Sequence, residues 1–382
     1  MRPRIMTVYG TRPEAIKVAP VIRALEESAH FESVTVVTGQ HREMLDQVNE
    51  LFGIVPDHDL NIMSHGQTLA QIFARVIDGL DQILEKEKPT AVIVQGDTST
   101  STAAALAAFY RQIPVIHLEA GLRSGDISSP FPEEANRKIT TQIAALHLAP
   151  TEVSKANLLT EGVLNADIVV TGNTVIDALL TTVGKELPFS DPALESLAAS
   201  ERRILLVTTH RRENWGGAME GVGRALARIA TAFPETEIVL PAHRNPIVRE
   251  AVLPHLVGLP NITVTEPLAY GEFTRMLSLS TVILTDSGGV QEEAPSLGKP
   301  VLVMRENTER PEAVTAGTVR LIGTDEERIV ADVTELLSNP IEYAKMANAV
   351  NPYGDGEASR RTVSAIRNRL IGSSDHIDEF TS

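Results

Sequence analysis

The sequence predicts an α/β protein built from two doubly wound domains. Its first half alternates short apolar segments with longer stretches of helical periodicity, a pattern typical of a parallel sheet covered on both faces. At 382 residues the chain exceeds what one hydrophobic core usually supports. A polar, proline-containing stretch near the middle separates this series from a second one of the same kind, which indicates a linker.

Each short apolar segment that precedes a turn is interpreted as a strand. In the first half these segments are 5–9, 34–38, 91–95, 115–118, 146–149 and 168–170. The helical patterns between them span 15–28, 43–52, 69–86, 100–111, 133–144, 152–161 and 175–183. In the second half the strands are 204–208, 237–240, 262–264, 281–284 and 301–304, followed by two helical stretches between 341 and 370.

These patterns give the expected domain boundaries. The N-terminal domain covers 1–187, the linker 188–202 and the C-terminal domain 203–370, while residues 371–382 are expected to form a disordered tail. Ligands of open α/β sheets bind beyond the carboxyl ends of the strands. Because the informative residues of both halves follow strand ends, we expect an active site in a cleft between the domains.

Composition narrows the class of protein. The chain has no cysteine, which excludes disulfides and thiolate chemistry and fits a reducing compartment. No apolar run approaches the roughly 20 residues of a membrane helix, so we expect a soluble, cytoplasmic protein without a membrane partner. A net charge of −16 argues against nucleic-acid binding. Local basic groups can still bind a small anion, because salt screens surface fields beyond about 8 Å.

The first strand leads into a candidate phosphate site. It runs into Gly10, and a helix follows whose first turn carries Arg12 and Glu14, with Lys17 one turn later. Free amides at a helix start and two cations favour a diphosphate. The alternative is an ordinary strand-to-helix turn with solvated basic residues. Neither the Gly-x-Gly-x-x-Gly nor the Gly-Lys-Ser/Thr pattern follows the strand, so no dinucleotide or nucleoside-triphosphate cofactor is predicted.

Carboxylates follow two further strands. Asp97 terminates the strand 91–95 and Glu119 the strand 115–118, so both are expected in one crevice. A third acidic group, Glu133 and Glu134, opens a helix that carries Arg137 one turn later. The alternative for Asp97 is a helix N-cap. The alternative for Glu133 and Glu134 is a favourable interaction with the helix dipole, which is worth about 0.3–1 kcal/mol.

The second half carries a histidine and a glycine pair at strand ends. His210 follows the strand 204–208 and precedes two arginines, which is typical of an anion-facing loop. Ser287, Gly288 and Gly289 follow the strand 281–284 and would let a phosphate approach bare amides, while Glu293 could accept ribose hydroxyls. The alternative is a glycine turn with acidic helix residues. The histidines lack the spacing of metal ligands, so no metal site is predicted.

Taken together, these motifs resemble the non-hydrolysing UDP-N-acetylglucosamine 2-epimerases. The matching blocks occur in order over about 300 residues: Gly10-Thr11-Arg12-Pro13-Glu14-Ala15-Ile16-Lys17, Gly39-Gln40-His41-Arg42, Gln95-Gly96-Asp97, Glu119-Ala120-Gly121, Pro132-Glu133-Glu134-Ala135-Asn136-Arg137, His210-Arg211-Arg212-Glu213-Asn214, Asp286-Ser287-Gly288-Gly289 and Thr308-Glu309-Arg310-Pro311-Glu312.

The resemblance implies two Rossmann-like domains in the glycosyltransferase B arrangement, a homodimer, and interconversion of UDP-GlcNAc and UDP-ManNAc. No cofactor is implied, since the family removes the C2 proton, expels UDP from C1 and restores both after 2-acetamidoglucal forms. The implied catalytic residues are Asp97, Glu119, Glu133 and His210. The implied substrate-binding residues are Arg12, Lys17, Arg137, Phe273, Ser287, Gly288, Gly289, Glu293 and Arg310, with Glu293 at the ribose and the backbone near Phe273 at the uracil.

Three alternatives remain open on the sequence. The same chemistry can act on another UDP-sugar, such as a 2,3-diacetamido uronate, because the motifs describe UDP and C2 rather than C3 and C6. A glycosyltransferase shares the nucleotide-binding edge but needs an acceptor site, which no motif marks. A non-catalytic UDP-sugar sensor would keep Ser287, Gly288 and Glu293 without needing three carboxylates and His210.

One departure from the family pattern predicts altered regulation. Some bacterial members bind a second UDP-GlcNAc as an activator, and Gln40, His41, Glu134 and His243 are compatible with such a site. Two positions of that site, one of them the family's basic residue, are occupied here by Glu43 and Gly66. We predict weak or altered substrate activation, so a plot of rate against UDP-GlcNAc without added effector should stay hyperbolic. A clearly sigmoidal plot would contradict this prediction.

Overall fold

The computed structural model describes residues 2–40, 42–209, 217–373 and 376–381, and it divides into two compact units. Unit 1 comprises Met1–Ala178 and Tyr353–Ser382, and unit 2 comprises Leu179–Pro352. Each unit has its own parallel sheet with helices between successive strands. The doubly wound α/β class predicted from the alternating pattern is therefore confirmed for both halves.

Unit 1 is organised on a seven-stranded sheet in the order β3-β2-β1-β4-β5-β6-β7. Its strands are β1 (Arg4–Tyr9), β2 (Glu32–Val37), β3 (His58–Asp59), β4 (Ala91–Gln95), β5 (Val115–Leu118), β6 (Leu146–Ala149) and β7 (Ile168–Val170). Its first seven helices are α1 (Arg12–Glu27), α2 (Arg42–Phe52), α3 (Leu69–Glu87), α4 (Ser99–Tyr110), α5 (Glu133–Ile143), α6 (Glu152–Thr160) and α7 (Thr174–Val183), the last of which runs past the unit boundary at Ala178.

Unit 2 follows with a helix, α8 (Pro192–Ala198), and a six-stranded sheet in the order β10-β9-β8-β11-β12-β13. Its strands are β8 (Arg203–Thr208), β9 (Thr236–Pro241), β10 (Ile262–Thr265), β11 (Val282–Thr285), β12 (Val301–Val303) and β13 (Val319–Leu321). The helices after β8 are α9 (Gly217–Ala232), α10 (Pro246–Val252), α11 (Tyr270–Leu279), α12 (Gly288–Glu293), α13 (Pro311–Ala316), α14 (Glu326–Ser338) and α15 (Pro340–Ala347).

Both sheets reverse their strand order next to the first strand of the unit. In unit 1 the reversal lies between β1 and β4, and in unit 2 between β8 and β11. At such a switch point the connections on either side leave in opposite directions, and a crevice opens at the carboxyl ends of the two strands. The loops that begin at Gly10 and Gly96 border the crevice of unit 1, and the loop that begins at Asp286 borders that of unit 2.

Small side chains bring α4 close to the sheet of unit 1. The helix buries Ala103, Ala104 and Ala107 among Val8 and Val94 of β1 and β4. Its first turn is also buried, although the residues there are serine and threonine. Because alanine adds little side-chain bulk, the start of α4 lies near the ends of both strands, where its hydroxyl groups take part in the site described below.

Several boundaries differ from the sequence prediction. The two-residue β3 and the three-residue β13 were not predicted, because such short segments give no clear periodicity. The expected linker contains α8, whose N-cap Asp191 accepts a hydrogen bond from the Ala193 amide and is followed by Pro192. These residues signal a turn and a helix start equally well. The boundary between the two units falls at Ala178 rather than at residue 187.

The C-terminal segment differs most from its predicted place. The last helix, α16 (Ala358–Ile371), packs on α1 and belongs to unit 1 instead of the second domain. Beyond it, the Phe380 amide donates to Val170 O at 2.9 Å, and the Phe380 ring is buried beneath the Arg361 guanidinium. Burying one aromatic ring under a cation stabilises a short contact with the edge strand β7, so residues 376–381 do not behave as the disordered tail that was expected.

Within the described ranges, none of the helices combines the length and the apolar character that crossing a membrane requires.

Two buried histidines lie opposite each other on β5 and β6. His117 pairs with His147 in the sheet register, and both side chains are almost completely buried. Burial lowers the pKa of each imidazole to about 4, although the hydrogen bond between His117 Nε2 and Gly96 O opposes the shift for His117. The pKa of an unfolded histidine is about 6.5. The unfolded chain therefore binds more protons than the folded one between these two values.

This difference predicts a stability that depends on pH. The free energy of unfolding should rise from pH 4 to about pH 6.5, where the contribution of the neutral histidines is complete. Replacing His147 by leucine should reduce the difference between the unfolding free energies measured by urea titration at pH 4.5 and 7. His65→Leu is the matched control, because His65 is exposed. An unchanged pH difference in His147→Leu would refute this explanation.

Candidate active site

The loop after β1 is shaped by a close approach of backbone to side chains. A Cβ atom on Gly10 would lie 2.0 Å from Thr38 Oγ1 and 2.8 Å from Thr100 Oγ1, so only glycine fits there. Thr11 then caps α1 in a capping box with Glu14, whose Oε2 accepts the Thr11 amide at 2.8 Å. The predicted strand-turn-helix is thus present, and Arg12 lies exposed at the first residue of α1.

Glu14 does more than cap its own helix. Its side chain is buried, and Oε2 also accepts the Gly10 amide at 3.1 Å. Oε1 accepts the Thr98 hydroxyl at 2.7 Å and lies 2.9 Å from Ser101 Oγ. Burial raises the pKa of Glu14, while these hydrogen bonds favour the carboxylate. One carboxylate therefore joins the loop after β1 to the loop after β4, a link between distant segments that the capping pattern did not reveal.

Asp97, the second residue after β4, is paired with a cation. Arg137 of α5 donates to Asp97 Oδ2 from Nη2 at 2.6 Å and from Nε at 2.8 Å. Asn136 donates to the Asp97 carbonyl at 2.8 Å. The N-cap of α4 is Thr98, which accepts the Ser101 amide. The alternative in which Asp97 is a helix cap is therefore wrong, and its carboxylate remains at the switch point beside Arg137.

Glu134 completes this cluster from inside the fold. It is fully buried and lies 3.0 Å from Arg137 Nη1. Burial alone would raise the pKa of Glu134, but the hydrogen bonds from the Ser124 amide and Arg137 hold it below its usual value. Arg137 is thus shared between Asp97 and Glu134. Glu133, one residue earlier, is half-buried at the start of α5.

Glu119, which follows β5, has an unusual backbone. Its φ angle is +61°, in the left-handed region that a non-glycine residue seldom adopts. Its carboxylate is bonded to Lys17 Nζ and Gln95 Nε2, and Oε1 also accepts Asn173 Nδ2 at 3.0 Å. Strain of this kind persists only where the surroundings hold it, and it concentrates at functional sites. Lys17, expected as a phosphate ligand, thus lies beside a candidate catalytic carboxylate.

In unit 2, the predicted nucleotide edge brings Arg310 over Gly288. A Cβ atom on Gly288 would lie 2.6 Å from Arg310 Nη1, so glycine is needed for the guanidinium to lie there. Arg310 Nε donates to Glu292 Oε1 at 2.6 Å, and Glu292 is buried. The Ser287 amide donates to Thr285 Oγ1 at 2.9 Å. Ser287, Gly288 and Arg310 are therefore close together.

Two neighbouring residues that the sequence analysis missed hold this edge. Gln291 donates to Ser287 O at 3.1 Å and accepts the Thr308 hydroxyl at 2.8 Å, so it joins the start of α12 to the loop before α13. Glu292 orients Arg310 as described above. Both lie within three residues after the glycine pair. The available signal was that these polar residues stand beside the apolar Val290 in a short helix whose side chains are buried.

The remaining predicted residues are distributed as follows. Glu293 is buried and accepts the Tyr270 hydroxyl at 2.9 Å. The Phe273 amide donates to Ala269 O at 2.8 Å, at the start of α11. Gln40 accepts the Thr100 hydroxyl in unit 1, whereas His243 Nδ1 accepts the Asn245 amide in unit 2. His210 and His41 lie outside the described residues, and so does the segment 211–216.

Among the residues that the structure describes, no three or more histidine, aspartate or glutamate side chains are grouped so that they could hold a metal ion.

Comparison with known proteins gives consistent matches over nearly the whole chain. A family model described as UDP-N-acetylglucosamine 2-epimerase matches residues 23–367. The chain is 54% identical over 374 residues to the UDP-N-acetylglucosamine 2-epimerase of Escherichia coli K12, covering 96% of this chain and 99% of that protein.

Solved structures agree. UDP-GlcNAc 2-epimerase from Neisseria meningitidis bound to UDP-GlcNAc has a TM-score of 0.84 at 47% identity, covering 95% of this chain and 99% of that one. S. aureus MnaA with UDP has a TM-score of 0.87 at 46% identity, covering 99% and 100%. A glycosyltransferase of kitacinnamycin, 14% identical with a TM-score of 0.68 over 97% and 100%, shares the fold alone. The predicted fold class, with Rossmann-like domains of the glycosyltransferase B type, is confirmed.

The four hydrogen-bond donors around Glu14 predict a graded response to mutation. Glu14→Met removes the acceptor for two amides and two hydroxyls and should lower the free energy of unfolding by about 2–4 kcal/mol. Glu14→Gln keeps an oxygen for the amides and an NH₂ group for the hydroxyl oxygens, so about 1 kcal/mol should be lost. Urea unfolding at pH 7 measures both values. Equal losses in the two variants would contradict the hydrogen-bonded link.

Proposed function

The chain belongs to the UDP-N-acetylglucosamine 2-epimerase family, and we propose that it interconverts UDP-GlcNAc and UDP-ManNAc by eliminating and re-adding UDP. The observation that carries the proposal is the pair of carboxylates, Asp97 and Glu119, at the ends of the adjacent strands β4 and β5. Each is bonded to a cation, Arg137 or Lys17. An epimerase is an isomerase, so substrate and product have the same atomic composition.

The reaction requires two bonds to break and re-form. A base takes the C2 proton, the C1–O bond to UDP breaks, and the electron pair of the C2–H bond becomes the C1–C2 double bond of 2-acetamidoglucal. UDP then returns to C1 while an acid delivers a proton to the opposite face of C2. Groups positioned for such transfers contribute roughly 10²–10⁴-fold each.

Four residues are proposed for the proton transfers and for assistance to the leaving group. They are Asp97, Glu119, Glu133 and His210. Asp97 lies at the switch point of unit 1 and Glu119 at the end of the next strand, β5, which supports this proposal, because ligands of such sheets bind at this edge. Which group serves which face of C2 stays a hypothesis. Arg137 would orient Asp97 through the pair of short hydrogen bonds to Oδ2.

The leaving diphosphate needs positive charge where its own charge develops. In unit 2 we propose Arg310, Ser287, Gly288 and Gly289 for this role, because the guanidinium of Arg310 lies over the bare backbone of Gly288. A fixed cation of this kind stabilises developing charge without reorganising during the reaction. In unit 1 Arg12 and Lys17 are proposed as further cations for the diphosphate or the sugar.

The nucleoside would be recognised by α11 and α12. We propose Glu293 as the acceptor for the ribose hydroxyls, which its buried carboxylate can bind alongside Tyr270. The backbone near Phe273 is proposed for the uracil. The Phe273 amide itself is engaged within α11, so the uracil contact would involve another main-chain group of this segment.

Assembly and regulation are proposed from the resemblance alone. They comprise a homodimer, a cytoplasmic location, and an activator site with Gln40, His41, Glu134 and His243. Glu134 is the weakest member of this set, because it is fully buried and bonded to Arg137. Light scattering of the purified protein at micromolar concentration tests the dimer.

The deciding experiment is NMR of UDP-GlcNAc with purified, metal-free protein in D₂O without NAD. UDP-ManNAc that carries deuterium at C2 would establish epimerisation through proton exchange with solvent. A substrate that binds but stays unlabelled and unchanged would overturn UDP-GlcNAc as the sugar. The uronate analogue and then acceptor-dependent transfer would be tested next.

Asp97→Asn should abolish turnover in this assay by roughly 10²–10⁴-fold while leaving UDP binding nearly intact, because the carboxamide cannot accept a proton. The matched control is Asp81→Asn, which alters another aspartate–arginine pair, with Arg111, on the outside of α3 and α4. The control should keep the wild-type rate. A normal rate in Asp97→Asn would remove Asp97 from the catalytic set.

A further inference from the structure

Asn173 contacts a candidate catalytic carboxylate although no motif singled it out. It lies between β7 and α7, is buried, and donates from Nδ2 to Glu119 Oε1 at 3.0 Å. Glu119 follows β5, and β6 separates that strand from β7 in the sheet. The contact therefore crosses the carboxyl edge of the sheet and ends at the residue with the left-handed backbone.

The side-chain oxygen and the main-chain amide of Asn173 fix the orientation of its side chain. Its Oδ1 accepts the Val175 amide at 3.1 Å, as the side chain of a helix N-cap does. Because Oδ1 faces this donor, the NH₂ group must face Glu119, and the assignment of the amide follows from the hydrogen bonds. The Asn173 amide donates to Tyr353 O at 2.7 Å.

The returning chain fits closely against this loop. Tyr353 is the first residue of the C-terminal segment of unit 1, and Gly354 follows it. A Cβ atom on Gly354 would lie 3.1 Å from Ile176 Cγ1 and 3.4 Å from Asn173 O. Glycine therefore lets the returning chain pass within hydrogen-bond distance of the Asn173 amide. The backbone of Asn173 is held from both sides, by α7 and by residue 353.

The donors to Glu119 differ in charge. Lys17 carries the one full positive charge among the three side chains described above, and its long flexible stem suits it to turn toward a diphosphate. Asn173 and Gln95 are neutral and shorter. Neutral donors hold a carboxylate in place while suppressing its basicity less than an ion pair does. This division suits a group that must both accept and release a proton.

We propose that Asn173 is a positioning residue that orients the Glu119 carboxylate for proton transfer. This inference rests on the proposed function. Asn173 itself touches Glu119 and the backbone and is not assigned a contact with the reacting atoms. Its effect is expected in the rate of the chemical step and in the pH at which Glu119 takes up a proton.

The discriminating variant is Asn173→Asp. An aspartate keeps an acceptor for Val175 and the same main-chain amide, but it places a second carboxylate where the donor to Glu119 was. We expect kcat to fall about 10–100-fold while the dissociation constant of UDP changes less than about twofold. The acidic limb of the kcat/KM profile should move to higher pH, because a nearby negative charge favours the protonated form of Glu119.

A second readout does not depend on activity. Titration of ¹³C-labelled glutamate carboxyls, with the Glu119 signal identified by its loss in Glu119→Gln, should place the midpoint of Glu119 about one pH unit or more higher in Asn173→Asp. Lys17 on α1 contacts Glu119 directly, and Arg123, Arg137 and Glu119 all act on the neighbouring His117 of β5. Arg137 is in turn paired with Asp97. These side chains are unchanged in the variant.

Two further variants complete the design. Asn339→Asp makes the same change at the N-cap of α15, where Asn339 Oδ1 accepts the amides of Ile341 and Glu342, and it should keep the wild-type kcat. Asn173→Ser keeps a capping oxygen without a charge and is too short to reach Glu119. It should lower kcat with a smaller shift in the pH profile, and it replaces Asn173→Asp if that variant does not fold.

The outcomes separate the two proposals. A Glu119 midpoint and a pH profile that match wild type would overturn the positioning role, as would a loss of kcat no larger than that in Asn339→Asp. A wild-type enzyme that does not epimerise UDP-GlcNAc would overturn the proposed function instead. In that case the carboxyl titration alone decides whether Asn173 controls the charge of Glu119.

Discussion

The buried carboxylate of Glu14 is the interaction on which the site of unit 1 depends. It accepts amides from the loop after β1 and a hydroxyl from the loop after β4. A buried carboxylate without partners would be strongly disfavoured, so each of these donors is needed where it stands. The two loops that border the switch point are therefore fixed in one frame. This link also fixes the positions of Lys17, on the helix after the first loop, and of Asp97, in the second loop.

In unit 2, side-chain hydrogen bonds also join two loops at the carboxyl edge of the sheet, but through different residues. Gln291 joins the start of α12 to Thr308, and Glu292 turns Arg310 back over Gly288. In both units a polar side chain from the first turns of a helix reaches across to a second loop. The glycine requirement at Gly288 is a consequence of this bracing, since the guanidinium occupies the space that a Cβ atom would need.

The sequence predicted those features that depend on neighbouring residues. Strand ends are local, so the placement of Asp97 and Glu119 after β4 and β5 followed from the apolar pattern. The partners of these carboxylates could not be predicted from the apolar pattern. Lys17 and Glu119, for example, are 102 residues apart and come into contact only through the strand order. The cap of α4 shows the limit clearly. Asp97 and Thr98 are both residue types that favour an N-cap position. Thr98 caps the helix, because Asp97 is paired with Arg137, 40 residues later.

The return of the chain to unit 1 illustrates what a pattern of periodicity cannot encode. Asn351, near the end of unit 2, donates to Glu292 O at 2.9 Å and also contacts Ser296 Oγ. Two residues later Tyr353 accepts the Asn173 amide in unit 1. The sequence marks this stretch only as a helix break, because proline and glycine interrupt the helical pattern.

In the structure, residues of this stretch also make hydrogen bonds, Asn351 within unit 2 and Tyr353 within unit 1. One end of the stretch is anchored beside the residue that orients Arg310, and the other end beside the residue that contacts Glu119. Each contact lies within one unit and supports the candidate site residues of that unit. In each unit the contact involves a buried asparagine, Asn351 in unit 2 and Asn173 in unit 1, although local propensity describes residues 351–356 as a simple loop.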